Sequence, residues 1–164
     1  MRILARFAVF SMLFMLPKMS TAQHISPAEP WFSVTIDTPE ATVTVGLDVK
    51  LKVIFTNNTG KDIHYSAGGP ARSGPAFDIN VRDAEGNPVP ETPYGLKLHG
   101  KDPHPWSGSV FSATLHPGKT IEEEVSLSKE FDLSKPGKYT VQVQEKNPVF
   151  QTVKSNVLTI TVVP

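Results

Sequence analysis

The chain has 164 residues, with 16 basic and 16 acidic side chains in balance, 15 Pro, 11 Gly and no Cys. That length suits one ordinary domain. The missing Cys excludes disulfides, a thiol nucleophile and thiolate metal sites, and the balanced charge argues against an electrostatic nucleic-acid binder.

Residues 1–22 read as a cleavable signal peptide. Arg2 and Arg6 precede an apolar run from Phe7 to Leu16, Pro17 ends the run, and Ser20-Thr21-Ala22 supplies the small residues that a signal peptidase reads. Cleavage is expected after Ala22. The run is half the about 20 residues that a spanning helix needs, so the expected product is secreted or periplasmic, with no membrane insertion. Without the leader the chain keeps 13 basic and 16 acidic residues, a net of −3. A mildly acidic chain gives no reason to expect nucleic acid as a partner.

Residues 23–31 are Pro-rich and aperiodic, a flexible lead-in. From Phe32 onward the pattern has period two, which puts alternate side chains on opposite faces of a strand. Phe32, Val34 and Ile36 alternate with polar residues; so do Val43 and Val45, then Val49, Leu51, Val53 and Phe55. Asn57 to Gly60 is a turn. Ile63 to Ser66 is a short strand, and Gly68 to Pro75 is a loop by composition. Phe77, Ile79 and Val81 alternate again before the turn Asp83 to Pro88. The Pro- and Gly-rich connection 84–109 holds one suggestion of a strand, at Leu96 and Leu98. Strands are expected at Val110 to Leu115, from Thr120, around Tyr139, Val141 and Val143, and at Val157 to Val163. The stretch Thr120 to Phe131 is expected as an edge strand followed by one helical turn near Ser128 to Phe131; strict alternation there would send Glu123 inward. The fold class is therefore all-β: a single immunoglobulin-like β-sandwich of about 7–9 strands over residues 32–164.

Leu133-Ser134-Lys135-Pro136-Gly137-Lys138-Tyr139 resembles the tyrosine corner of immunoglobulin-like sandwiches. Pro136 and Gly137 make the turn, and the Tyr139 hydroxyl is expected to bond a backbone group upstream. With the strand Val49 to Phe55 and Thr56-Asn57, this region resembles the accessory domain beside deuterolysin-type metalloproteases. No His-Glu-x-x-His occurs, so the protease activity does not carry over. The order Phe77 to Asp83, Gly86, Phe111, Leu115-x-Pro117-Gly118 and Pro136-Gly137-x-Tyr139 is similar to the BsuPI-like proteinase-inhibitor domain, which implies a shared small sandwich more strongly than shared inhibition.

The sequence carries few chemistry-bearing motifs. There is no Gly-x-Ser-x-Gly and no phosphate-binding Gly loop. Glu122-Glu123-Glu124 reads as a solvated charge run. No cofactor is implied, and the expectation is that the chain is not an enzyme. His99, Asp102 and His104 carry zinc-type donors within six residues, although their spacing fits an exposed loop as well. Tyr94, Trp106 and Phe111 in or beside the long connection, and Arg72 in the shorter loop, are the candidate binding residues. Asn57-Asn58-Thr59 fits a glycosylation sequon. Three functional readings follow: a protein or glycan interaction module of the envelope, a secreted proteinase inhibitor of BsuPI-like type, or a small envelope metal-binding protein.

Overall fold

The computed structural model describes residues 32–68, 74–104, 108–146 and 152–164. The expected signal peptide (1–22) and lead-in (23–31) lie outside the described residues.

Period-two alternation sets the architecture, an all-β, immunoglobulin-like sandwich. One sheet has the order β1-β3-β7, from β1 (Phe32–Asp37), β3 (Lys50–Asn57) and β7 (Thr120–Ser126), all antiparallel. The other has the order β2-β10-β8-β5, from β2 (Thr42–Thr44), β10 (Leu158–Val163), β8 (Gly137–Lys146) and β5 (Asp78–Arg82), with β9 (Thr152–Lys154) also on β8. Only β2 and β10 run parallel among these pairs. Val34, Ile36, Leu51, Val53 and Phe55 of the first sheet share a core with Ile79, Val81, Val141, Val143, Ile160 and Val162 of the second. Each such burial stabilises by about 1.5–3 kcal/mol. Among the described residues there are ten strands where about 7–9 were expected; two of them, β2 and β9, are only three residues long.

The tyrosine corner is present. The Tyr139 hydroxyl donates to the Lys135 carbonyl at 2.7 Å while the ring is buried. The edge strand and helical turn expected over 120–131 are also found, as β7 and then α2 (Leu127–Glu130). Leu96 and Leu98, expected in a strand, instead lie in helix α1 (Pro93–Leu98). The reason is local: Thr92 is an N-cap whose hydroxyl accepts from Gly95 N–H at 3.1 Å, and Pro93 stands in the first turn, where its missing N–H costs nothing.

A separate antiparallel ribbon, β4 (Ile63–Gly68) with β6 (Val110–Leu115), leaves the first sheet at one end. It continues the β3–β7 ladder around a bend. Asn57 is the joint: its N–H donates to Lys119 O and its carbonyl accepts from Gly118 N–H, each at 3.0 Å. Its side-chain amide donates to the carbonyls of Lys61 and Leu115 at 2.8 Å, and its oxygen accepts from Thr59. At 1% exposure Asn57 is interior, so the sequon describes a packed structural amide rather than a surface acceptor.

Candidate functional site

The structure separates the residues singled out in the sequence. Phe111 lies on β6 in the ribbon, and Tyr94 lies on α1 at the far end of the first sheet, where α2 follows the last residues of β7. Arg72 and Trp106 lie outside the described residues. The two loops that hold them do share a base: Gly68 is opposite Val110 at the ribbon tip. Gly68 has φ +94°, and a Cβ there would collide with the Ser109 carbonyl, so both the backbone conformation and the close approach call for glycine.

The α1 end is the more constructed of the two. Thr92 N–H donates to Glu130 O at 2.9 Å, and its hydroxyl donates to Lys129 O. Gly95 lets α1 sit against the Glu130 backbone, where any Cβ would clash. His99 closes the arrangement. Its Nδ1 lies 3.3 Å from Glu91 Oε1 and its Nε2 lies 3.1 Å from Glu130 Oε2, with the Phe131 ring 6.0 Å away between centroids. Both ring nitrogens face carboxylate oxygens, and only the imidazolium can donate to both. The hydrogen bond to Glu130 holds the His99 pKa above its ordinary value, against burial, with the charges of Glu130 and Glu91 adding to it. Burial pushes Glu91 up, but Lys101 and His99 outweigh it and hold the carboxyl below the usual range.

Two clefts flank α2. The larger, about 420 Å³, runs between the 44–49 turn and the 131–134 segment, with Val45, Leu47, Phe131 and Leu133 on its walls and Asp48 and Ser128 among its polar groups. The smaller, about 170 Å³, is lined by Tyr94, Lys50, Glu124, Ser126, Lys129 and Glu130. Lys50 bridges the two, 3.2 Å from Asp48 and 2.9 Å from Glu124. Asp48 accepts from the hydroxyls of Ser126 and Ser128. Burial raises its carboxyl, and the two hydroxyls and Lys50 more than reverse that, leaving it below the ordinary value. This is a rim of cations, anions and hydroxyls already engaged with one another, beside a half-buried aromatic. It can hold a ligand through hydrogen bonds and stacking.

The expected metal set is not gathered. His99 turns to Glu91 and Glu130, while the Asp102 carboxylate accepts from the His104 N–H at 2.7 Å, a local turn. Among the described residues no group of three or more His, Asp or Glu is placed to hold a metal ion. The Glu122–Glu124 run is not uniformly solvated either. Glu122 and Glu124 are exposed and pair with Lys52 and Lys50, but Glu123 is 7% exposed, on the inner face that alternation demanded. Gly74 N–H donates to it at 3.4 Å. The sequence reading missed Glu91, Glu130, Lys50 and Glu124 as members of the site. Thr92-Pro93 carried the one usable signal, an N-cap followed by Pro, since it would have placed α1 and hence brought Glu91 beside α2.

No known protein family matches the chain, and no curated protein does. Solved structures similar to it include a CARDB domain of a Pyrococcus furiosus protein in complex with di-metal ions, 12% identical, TM-score 0.46, covering 92% of this chain and 100% of that one. The C-terminal domain of Wzt is 13% identical, TM-score 0.46, covering 82% and 74%. A β-glucosidase from Listeria innocua is 11% identical, TM-score 0.41, and only 16% of that chain is covered. Likenesses this distant carry no functional inference.

Proposed function

We propose that this chain is an exported, non-catalytic interaction module that holds an envelope glycan or protein on the shelf built by α1 and α2. The observation that carries the reading is the pair of clefts on either side of α2, joined by Lys50 and overlooked by Tyr94. Engaged ammonium, carboxylate and hydroxyl groups beside an aromatic ring suit a hydroxyl-rich ligand, which both donates and accepts. The resemblance of the tyrosine-corner region to a protease accessory domain is in keeping with a module that works beside a partner.

Retention of the purified protein on cell-wall polysaccharide, and capture of partners from native envelope, test the proposal. Tyr94→Ala and Lys50→Ala are expected to weaken retention while leaving the melting temperature close to that of the wild type. Retention unchanged by both would overturn the assignment of this shelf. A second reading, a secreted proteinase inhibitor of BsuPI-like type, draws on the extended, exposed strand β6, whose shape suits a protease cleft. Full protease activity in the presence of stoichiometric protein ends that reading.

A further inference from the structure

An unpaired strand edge is a template for another strand, and folded proteins blunt such edges with charge, Pro, short length or a covering segment. The described edges of this protein show those devices in turn. At β1 the Asn156 side chain takes the place of a neighbouring strand, accepting from Ile36 N–H at 2.9 Å and donating to Ile36 O at 3.0 Å. β7 carries Glu122 and Glu124. β5 is covered by the chain after its own turn, where Val89 N–H donates to Val81 O at 3.0 Å and Pro88 lies opposite Arg82. β2 and β9 are three residues long. The outer side of β4 meets Pro75, opposite Ala67, and Pro offers no N–H to extend a ladder.

Among the described residues, the outer edge of β6 has none of these. Its six residues, Val-Phe-Ser-Ala-Thr-Leu, include no charge and no Pro, and they pair with β4 on one side only among the described strands. Val110 is 65% exposed and Phe111 56%. We propose that this edge pairs with the same edge of a second copy of the chain, as an antiparallel strand pair about a two-fold axis perpendicular to the ribbon. The inference stands apart from the α1–α2 shelf and does not depend on it.

The chemistry of β6 favours its own copy. With no charge on the strand there is no repulsion between copies and no handle by which a foreign strand would be selected. A perpendicular two-fold axis keeps each side chain on the same face in both copies, so opposed residues belong to one face. Centring on Ser112 opposes Phe111 with Ala113 and Val110 with Thr114; centring on Ala113 opposes Phe111 with Leu115 and Ser112 with Thr114. In the second register apolar meets apolar on one face and hydroxyl meets hydroxyl on the other. In both registers the two Ser112 residues are direct or diagonal neighbours, within about 8 Å.

Ser112 is exposed, so charge can be placed there without entering the core. Sedimentation equilibrium of the full exported chain, from low to high micromolar, is expected to show a dimer. Ser112→Lys and Ser112→Glu should each raise its dissociation constant about fivefold or more, because like charges then face each other. Mixing the two variants should restore dimers. A wild-type chain that stays monomeric at high micromolar overturns the proposal. So does a dimer that neither variant weakens, or weakening that mixing does not reverse. Should either variant melt below the wild type, hydrogen exchange on the unsubstituted protein decides. Amides 110–115 should gain protection as concentration rises, and protection independent of concentration overturns the pairing.

Discussion

Replacing Asn57 by Ala tests whether one side chain holds the bend between the sandwich and the ribbon. The amide donates to Lys61 O and Leu115 O and accepts from the N–H and hydroxyl of Thr59, four bonds at 2.8–2.9 Å with the residue 1% exposed. At about 1 kcal/mol net for each bond, less what water recovers at the exposed Lys61 side, Asn57→Ala should cost about 3 kcal/mol. For a domain of this size that is a melting shift of about 6–12 °C. Asn57→Asp sharpens the test, since it keeps the shape and replaces the donating group by an oxygen facing two carbonyls. At pH 7 it should be less stable than the Ala variant. Its stability should recover as pH falls, because the folded state raises that carboxyl's pKa and binds the proton first. Urea titrations followed by circular dichroism at pH 7 and pH 4 measure both effects. An Ala variant within about 0.5 kcal/mol of wild type, or an Asp variant with no acid recovery, would refute the idea that the amide organises the bend.

Three other substitutions have defined outcomes. Tyr139→Phe removes the 2.7 Å bond to Lys135 O and should lower stability by about 1 kcal/mol in the same titration; a variant as stable as wild type would deny the corner its hydrogen bond. Glu145 is half-buried, its Oε2 is buried with no hydrogen-bond partner among the described residues, and burial pushes its pKa from 4.5 to about 7. The folded state thus keeps a proton that the unfolded state has released, stability falls as pH rises between these values, and at pH 8 Glu145→Gln should gain about 1–2 kcal/mol after allowing for partial exposure. A variant whose pH dependence matches wild type rules this out. His99→Gln should cost about 2 kcal/mol at pH 6, where the imidazolium serves both carboxylates, and much less at pH 9, because a raised histidine pKa gives stability that is lost as pH climbs past it. An equal cost at both pH values would show that the ring acts by packing alone.

The sandwich was legible because burial imposes one rule on every strand. Leu51, Val53 and Phe55 point inward at alternate positions, and Tyr139 follows a Pro-Gly turn that only a few backbone shapes permit. Even Glu123 obeyed the alternation against its charge; composition had argued for a solvated run, and the strand period prevailed. The candidate site was far less visible. Glu91, Glu130, Lys50 and Glu124 come from four separate segments, and the shelf exists only after α1 has docked on α2. The His99 neighbourhood shows the limit most plainly. Asp102 and His104 are its neighbours in sequence, but the carboxylates it bonds are 8 and 31 residues away in the chain. The ribbon lay between these cases: alternation groups Phe111, Ala113 and Leu115 on one face, yet of these only Leu115 is buried, and Phe111 is left exposed because β4 and β6 leave the sandwich, which the local pattern does not show.

The parallel contact of β2 with β10 has a mechanical consequence. It joins an early strand to the final one, Thr42 opposite Thr161 and Thr44 opposite Val163, with Val45 N–H donating to Val163 O and Thr161 N–H to Ala41 O at 2.8 Å each. Tension applied between the two ends of the domain drags these strands along their lengths in opposite senses. Their bonds are then loaded in shear and must yield together rather than opening one after another like a zip. A pull from the ends therefore meets this short patch as a clasp, out of proportion to its three residue pairs.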